Sequence, residues 1–585
     1  MSGLFKARYT LSRSQVLERT WPFVLDLGVA AGLLACFYAV LLIARYWMSG
    51  AVPEVVISLR PGILPVYAFY SVVRIGVAYL LSLLFAVGYG YVAAYNPRVE
   101  ALMIATLDIL QSIPVLSFLP ALMLAMMALV PSRQLGIEMG AILLIFTGQV
   151  WNLAFSFYTS LKTIPREMIE TSLIYRYSRW QRFWQLQMPF AAIGLIWNSI
   201  ISVAGGWFAL IACEMFTMGN KNFQLPGLGS YLKTAAEAGD TRAQLFGFLV
   251  VILIVIATDQ LIWRPLIAWS DKFKFEQVES ADRVTSPILA LLQRSNLFSE
   301  LPGKLWSRIE EPIYREMAST RECRIVRPID EVKGGSRWSA VFWTVLVVCG
   351  AVALWGAARA IAMLHALHWM ELKLLLEGAL ATFLRVNLSI LIAILWTVPV
   401  GVAIGFNPRL SRFVQPVAQV LASIPATAFF PFIVGALLYA GIGLGPASIA
   451  LMLLGMQWYI LFNVIAGAMS IPSDLREVAS LYRFTRMQRW TKLILPGIFP
   501  FLITGVITAS GGAWNASVFA EYTQLKDRTL QINGLGSTIQ VATDQNNFPV
   551  LLLATMLISI IVVSMNRLVW RRLYNLAETR FKLEA

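Results

Sequence analysis

Long apolar runs separated by short polar segments dominate the chain. Each run is long enough for a helix to cross a hydrocarbon core of about 30 Å. The runs are continuously apolar rather than alternating, which favours helices over a β-barrel. The pattern predicts an all-α polytopic membrane protein with about 12 transmembrane helices, six in each half. The runs lie near 21–46, 64–94, 101–131, 138–162, 189–217, 243–265, 339–364, 376–405, 412–440, 445–468, 496–522 and 549–566.

The charge distribution predicts the orientation of these spans. The net charge is +15, and basic residues concentrate in the N-terminal tail, in segments 161–189 and 470–496, and at the C-terminus. Basic loops of membrane proteins stay on the cytoplasmic side. We therefore expect both termini in the cytoplasm, and we attribute the charge to membrane topology rather than to nucleic-acid binding.

The two halves of the sequence repeat each other. Ile164–Pro189 and Ile471–Pro496 align without a gap at an offset of 307, with ten identities in 26 positions. An offset of 311 relates earlier positions. The predicted domains are residues 1–268 and 337–585, joined by a cytoplasmic linker, 269–336. An even number of spans in each half predicts parallel repeats related by a pseudo-two-fold axis along the membrane normal.

The duplicated polar segment is the first candidate functional site. Small residues in it permit close approach of another surface, and arginines at a spacing of three predict a basic stripe. A short helix joined to two spans can transmit the movement of a docked partner; the alternative is a helix resting on anionic lipid. The candidate docking residues are Glu170, Ser172, Arg176, Arg179 and Arg182, with Glu477, Ala479, Arg483, Arg486 and Arg489.

Prolines interrupt the third apolar run of each half. Proline within a span frees backbone carbonyls and permits kinking, and transporters commonly bind or gate solute at discontinuous helices. The alternative is ordinary helix packing through small residues. The candidate lining residues of a translocation path are Gln111, Ser112, Pro114, Ser117, Pro120, Ser423, Pro425, Thr427 and Pro431.

Four charged residues recur toward the outer ends of spans. Arg74 and Arg385 are one pair of equivalents, and Glu214 and Glu521 are the other. Intramembrane charge is by default a functional hypothesis. Two interpretations are open: an electropositive outer vestibule for an anionic solute, and snorkelling or a structural Arg–Glu pair, which we favour.

The segments 164–189 and 471–496 resemble the "EAA" loops of type I binding-protein-dependent ABC importers. The match rests on Glu170-Thr171-Ser172 with Pro189, and on Glu477-Val478-Ala479 with Pro496. Each half is similar to an inner-membrane permease domain of the nitrate/sulfonate/taurine branch. One departure is that Arg176 and Arg483 stand where the family usually has glycine.

The resemblance implies two copies of an ATP-binding subunit as partners, a periplasmic solute-binding protein, and alternating access in a bacterial inner membrane. It also implies an oxyanion-type solute. The sequence has no phosphate-binding glycine-rich loop of the G-x-x-x-x-G-K-[ST] type. We therefore expect a non-catalytic subunit without a cofactor of its own, with ATP-Mg on the partner subunits.

Two other functional classes remain as alternatives. A secondary transporter with parallel repeats and no ATPase partner would need a buried coupling-ion site, and we identify no acidic residue deep in a span for one. A membrane enzyme or scaffold would need a catalytic group of residues in a loop, and the sequence offers none.

Overall fold

The computed structural model describes residues 57–130, 133–216, 225–270, 336–365, 367–441, 443–525 and 528–580. The first predicted span, the basic N-terminal tail and nearly all of the predicted linker lie outside these residues.

The first half is helical throughout its described part, apart from connecting turns. Pro61–Ile63 and Val115–Phe118 are short 3-10 segments. The α-helices are α1 Leu64–Tyr95, α2 Pro97–Ser112, α3 Leu119–Leu129, α4 Arg133–Lys162, α5 Arg166–Ile174, α6 Arg179–Arg182, α7 Met188–Met215, α8 Leu228–Glu237, α9 Thr241–Thr258 and α10 Arg264–Ser270.

The second half repeats this order and contains a β-hairpin, whose first-half equivalents lie largely outside the described residues. Its strands β1 Tyr522–Leu525 and β2 Arg528–Gln531 pair in antiparallel fashion. Its helices are α11 Ser336–Leu364, α12 Trp369–Phe406, α13 Pro408–Ser423, α14 Ala426–Tyr439, α15 Leu444–Met469, α16 Ser473–Leu481, α17 Arg486–Arg489, α18 Leu495–Ala520, α19 Leu535–Asp544, α20 Phe548–Met565 and α21 Arg571–Arg580.

The architecture is that of an all-α polytopic membrane protein, as predicted. Within the described residues, eight helices are long and apolar enough to cross a membrane. A ninth crossing results if the bent pair in the third apolar run counts as one span. The full count of twelve stays a prediction, since the first run lies outside the described residues.

The third apolar run of each half is broken, and the break lies at the predicted proline. In the first half, Val99–Gln111 and Val115–Leu129 meet at an angle of 81°. In the second half, α13 ends at Ser423 and α14 begins at Ala426, on either side of Ile424-Pro425. Proline lacks the N–H that would continue the helix, so the break follows from the sequence.

In the described part of the chain, four π-helical turns occur at equivalent places in the two halves. Phe183–Gln187 and Trp490–Ile494 precede α7 and α18. Asp259–Trp263 and Asn566–Trp570 follow α9 and α20. Each turn continues directly into the neighbouring helix, so Arg179–Met215 and Arg486–Ala520 are uninterrupted helices.

The halves contact each other through the broken spans. Phe248 on α9 packs edge-on against Phe429 on α14, with ring centroids 4.7 Å apart. The equivalent of Phe248 is Thr555 on α20, whose Oγ1 lies 3.5 Å from the carbonyl oxygen of Ser117. The break of each half therefore packs on the last span of the other, as a pseudo-two-fold arrangement requires.

Candidate coupling segments and solute path

The first part of each duplicated segment is a nine-residue helix with a defined end. In α5, the N–H of Tyr177 donates to the carbonyl of Ser172 (2.9 Å), and the N–H of Arg176 donates to that of Leu173 (2.9 Å). In α16, Phe484 donates to Ala479 and Arg483 to Ser480, each at 3.0 Å. This pair of bonds is a Schellman motif, which requires a left-handed residue just beyond the helix.

The left-handed residue is an arginine in both halves. Arg176 has φ of 52° and Arg483 has φ of 50°. This conformation favours glycine, because a Cβ crowds the following carbonyl. The positive φ at this position explains why the family usually has glycine there. In this chain both segments form the same Schellman turn with arginine at that position.

A second short helix follows and leads into a span. Ser178 accepts a hydrogen bond from the N–H of Gln181, whose side chain accepts one from the N–H of Ser178. Thr485 and Gln488 form the same capping box in the second half. The helices α6 and α17 then run through a π turn into α7 and α18. A displacement of either segment is therefore passed directly to a span.

The coupling segments expose large apolar side chains, which the sequence reading did not single out. Ile174 and Leu481 are each 79% exposed, and Tyr175 and Tyr482 are 71% and 75% exposed. The exposed apolar groups lie at the end of the first helix, beside the left-handed arginine. Large exposed apolar patches mark interaction sites.

Two predicted docking residues face the other way. Ser172 and Ala479 are each 3% exposed, and the Ser172 hydroxyl donates to the carbonyl of Ile169. The prediction that they offer a surface to a partner is wrong. They are small because the helix packs against the permease itself at these positions.

The arginines predicted to form one basic stripe do not lie along a single helix. Arg176 and Arg483 lie in the turn between two helices, so they do not continue a helical stripe with the other arginines. Arg179, Arg486 and Arg489 are exposed at the start of the second helix, and Arg182 is partly buried. Glu170 and Glu477 are exposed on the first helix.

The structure places the predicted path residues around the break, with different surroundings. Ser117 is fully buried and its hydroxyl donates to the carbonyl of Pro114 (2.7 Å). Gln111 is exposed, and its Nε2 donates to Oδ1 of Asn152 (3.1 Å). Pro114, Pro120 and Pro425 are buried. The side chains of Ser112, Ser423 and Pro431 lie outside the described set.

Thr427 and Gln149 are among the buried polar side chains that lack a hydrogen-bond partner in the described part of the chain. Thr427, a predicted path residue, is 1% exposed, and its hydroxyl has no hydrogen-bond partner there. Gln149 on α4 is fully buried with both side-chain polar atoms unpaired. An unpaired buried polar group costs about 1–3 kcal/mol. Sequence reasoning missed Gln149, although an amide within an apolar run was a usable signal.

The four recurring charged residues form two clasps, one in each half. Each clasp is an Arg–Glu pair with a buried carboxylate: Arg74 with Glu214, and Arg385 with Glu521. Arg74 Nη1 donates to Glu214 Oε1 (2.7 Å), and Ser71 donates to the same oxygen. The other carboxylate oxygen accepts from the N–H of Gly229, in the first turn of α8. The clasp thus ties α1, α7 and the start of α8 together, and the helix dipole favours the carboxylate there.

The second half repeats the clasp at equivalent atoms. Arg385 Nη1 donates to Glu521 Oε1 (2.7 Å), Thr382 donates to the same oxygen, and the N–H of Gly536 donates to Oε2 (2.8 Å). Both carboxylates are fully buried. The arginines are paired, so they do not provide the free positive charge of the predicted vestibule, and the geometry is that of the structural Arg–Glu alternative.

The clasp explains the repeated Gly-Leu-Gly-Ser sequence. A Cβ at Gly227 would overlap the carboxylate of Glu214, and a Cβ at Gly534 would overlap that of Glu521. A Cβ at Gly229 would lie 2.7 Å from the carbonyl oxygen of Ile211. Glycine is required here by the close approach of α7 and α18.

The clasps of the two halves differ by one carboxylate, that of Glu138. Glu138 accepts from Nε and Nη2 of Arg74 at 2.5 and 2.6 Å. The second half has Gly445 at the equivalent position, and the Arg385 side chain is 18% exposed against 4% for Arg74.

The expectation that spans hold no deep acidic residue needs correction. Asp108 lies within α2. Glu214 and Glu521 are buried as well, but each is held by an arginine, which leaves neither as a ready coupling-ion ligand.

Comparison with known proteins agrees with this arrangement. The family model described as "Binding-protein-dependent transport system inner membrane component" matches residues 86–261 and again 389–580. The two matches together span more than half of the chain, and each contains one coupling segment.

Curated relatives align over part of their length. The nitrate import permease protein NrtB of Leptolyngbya laminosa is 30% identical over 141 residues, 24% of this chain and 49% of the relative. The bicarbonate transport system permease protein CmpB of Synechococcus elongatus is 29% identical over 190 residues, 32% and 65%.

The taurine transport system permease protein TauC of Escherichia coli is 28% identical over 162 residues, 28% and 55%. The chain thus spans less than two thirds of the length of these relatives. The chain belongs to the family of binding-protein-dependent transport system inner membrane components, as an ABC importer permease with two fused domains similar to the nitrate, bicarbonate and taurine permeases.

Proposed function

We propose that this permease carries a small solute across the inner membrane by alternating access, driven by two separate ATP-binding subunits. ATP-Mg is bound and hydrolysed on those subunits, and a periplasmic solute-binding protein delivers solute to the outer loops. Both termini face the cytoplasm. The observation that carries the proposal is the duplicated coupling segment, with the same turn, cap and exposed side chains in each half.

The coupling segments have the properties of a docking surface. Exposed Ile174 and Tyr175 in one half, and Leu481 and Tyr482 in the other, offer apolar contact area. Arginines at the start of the following helix offer charge-assisted hydrogen bonds to an acidic partner. Two such surfaces on one chain support two docked subunits, one on each half.

The broken third spans support a route for solute between the halves. Each break leaves backbone groups outside a regular helix, which is tolerated at membrane depth where they face protein or water. The break of each half lies against the last span of the other, so a relative movement of the halves changes its surroundings. We take the solute class from the relatives, whose names specify a small oxyanion (nitrate or bicarbonate) or an aminosulfonate (taurine).

Disruption of one docking surface at a time tests the proposal. The variants are Ile174→Asp with Tyr175→Asp, and separately Leu481→Asp with Tyr482→Asp. Each should lower the number of ATP-binding subunits that co-purify from two to one and abolish solute-stimulated ATP hydrolysis. Membrane insertion should persist, because these side chains are exposed.

Met370→Asp is the matched control, since Met370 is an apolar residue 67% exposed at the start of α12, away from both coupling segments. It should leave the subunit stoichiometry at two. Normal uptake in both double variants would identify the segments as helices resting on lipid. Uptake by the purified chain alone, driven by an ion gradient, would favour the secondary transporter.

A further inference from the structure

A polar cavity of about 290 Å³ opens in the first half, beside the broken span. It lies between the end of α2, the second half of α4 and the start of α7. Gln111, Phe155 and Asn198 line it, together with a polar stripe on α4. The stripe consists of Asn152, Ser156, Thr159, Ser160 and Thr163.

From its polarity we infer that the stripe faces water rather than lipid. Its members lie at helical spacing on one face of α4, and Thr159 and Thr163 are exposed. Polar side chains at membrane depth occur where they face protein or a water-filled cavity. The stripe ends at Thr163, directly before Ile164-Pro165 and the coupling helix α5.

The hydrogen bonds within the cavity leave both donors and acceptors for a ligand. Asn198 uses its amide hydrogens on Ser156 Oγ (3.1 Å) and on the carbonyl of Gly194 (3.0 Å), which leaves its carbonyl oxygen as an acceptor. Asn152 lines the cavity and its Oδ1 accepts from Gln111, which leaves its amide hydrogens as donors for a ligand. The Thr159 hydroxyl donates to the carbonyl of Phe155, so its oxygen faces the cavity as an acceptor.

The lining residues carry no charge, while Phe155 adds an apolar wall. A bare anion taken out of water would need an opposite charge to compensate its lost hydration. A zwitterion carries its own opposite charge, and its donors at one end and acceptors at the other match the hydrogen-bonding groups of this lining. The volume is several times that of one water, about 30 Å³, so it admits more than an inorganic oxyanion.

The second half has different residues at most of the equivalent positions. Phe501 stands where the first half has Gly194, and Gly467 stands where it has Ser160. A Cβ on Gly467 would lie 2.9 Å from the Cβ of Phe501, and a Cβ on Gly194 would lie 2.9 Å from Ser160 Oγ, so the two helices are in close contact in both halves. Asn152, Thr159 and Asn198 are replaced by Tyr459, Ala466 and Gly505.

We propose that this cavity is a single, asymmetric solute-binding site of the first half, and that it takes a small zwitterion with a short alkyl linker. Asn152 and Gln111 donate to the acidic group, Asn198 and Thr159 accept from the ammonium group, and Phe155 contacts the linker. The proposal rests on the proposed function as a solute permease. It does not depend on how the ATP-binding subunits dock.

Direct binding to the purified full-length chain in lipid nanodiscs tests the site, without ATP-binding subunits. The probes are taurine and, separately, sodium nitrate at equal millimolar concentration, and the readouts are calorimetric titration and the thermal unfolding midpoint. Taurine should bind and raise the midpoint. Asn152→Leu should raise its Kd about fivefold, the factor that corresponds to one lost hydrogen bond of about 1 kcal/mol.

Ser470→Ala is the matched control, at the second-half equivalent of Thr163. It should bind taurine as the wild type does, while Thr163→Ala should bind it more weakly. Retained monodispersity of Asn152→Leu shows that lost binding is not misfolding. Equal taurine binding by Asn152→Leu and the wild type, nitrate binding in preference to taurine, or no taurine binding would each overturn the proposal. Loss of subunit docking with intact taurine binding would instead contradict the proposed function alone.

Discussion

The backbone of Arg176 has the same left-handed conformation as that of Arg483, 307 positions later. In both halves this conformation allows two backbone hydrogen bonds to close the coupling helix. The cost for a residue with a Cβ is about 1–2 kcal/mol. The turn is therefore imposed by the surrounding packing, not by the residue that occupies it.

Replacement of the left-handed arginine by glycine should relieve this cost. Arg176→Gly or Arg483→Gly should stabilise the fold by up to about 1 kcal/mol, because relief of the steric cost exceeds the extra entropy of glycine in the unfolded chain. Thermal unfolding in detergent measures the change. Arg176→Ala is the control: it removes the same side chain but keeps the Cβ, so it should not stabilise. Equal effects of glycine and alanine would show that the charge, not the backbone, sets the stability.

The glycines of the clasp should be intolerant of any side chain. Gly227→Ala or Gly534→Ala places a methyl group against a buried carboxylate that is paired with an arginine. Loss of a buried ion pair costs about 3–5 kcal/mol, and we expect a destabilisation of that order or failure to insert. Gly76→Ala on α1 is the control, since its Cβ would meet nothing within 4 Å. A similarly small effect at all three positions would contradict the clasp geometry.

The pH dependence of stability should contain a contribution from Lys233. Burial lowers the pKa of Lys233 to about 8 from its ordinary 10.5, although Glu237 lies nearby at 3.7 Å. The unfolded chain therefore binds more protons between pH 8 and 10.5, and stability should rise with pH through this window. The rise should be on the order of 1–3 kcal/mol.

Lys233→Gln isolates that contribution, because glutamine is the residue at the equivalent position, Gln540. The variant should be more stable than the wild type below pH 8 and approach it near pH 10.5. Thermal unfolding of both proteins across the range measures the difference. A constant difference at all pH values would show that Lys233 does not titrate in the folded protein.

The orientation of the permease gives a further prediction. A cysteine at Asn546, in the turn between α19 and α20, should react with an impermeant thiol reagent added outside the cell membrane. A cysteine at Gln488, in the second coupling segment, should react only after the membrane is opened. Both positions are exposed, so a lack of reaction reflects the side of the membrane. Outside labelling at Gln488 would reverse the proposed topology.

Much of the fold was predictable because its signals are local. Apolar runs of membrane length determine helices, Pro114 and Pro425 determine the breaks, and the repeat determines the equivalence of the halves. The coupling segments were found for the same reason, since a polar segment between apolar runs is visible without a structure.

The remaining features depend on which face a helix presents to its neighbours. Ser172 reads as a small surface residue until its helix is seen packed against the permease. The Arg74–Glu214 pair joins residues 140 positions apart. The polar stripe from Asn152 to Thr163 was readable as a helical period, but its meaning depends on Gln111 and Asn198, which two other helices bring to the same cavity.

The unshared Glu138 shows what fusion of the two halves makes available. A permease assembled from two copies of one polypeptide must place any new residue on both sides of its axis, whether or not it is useful twice. In this chain the two halves are different sequences, so a residue can be present in one half without its equivalent in the other. Glu138 is such a residue: it binds Arg74 of the first clasp, whereas the equivalent position in the second half is Gly445. The clasp itself is present in both halves. Fusion of the two halves thus allows equivalent positions of a pseudo-symmetric permease to acquire different residues and different roles.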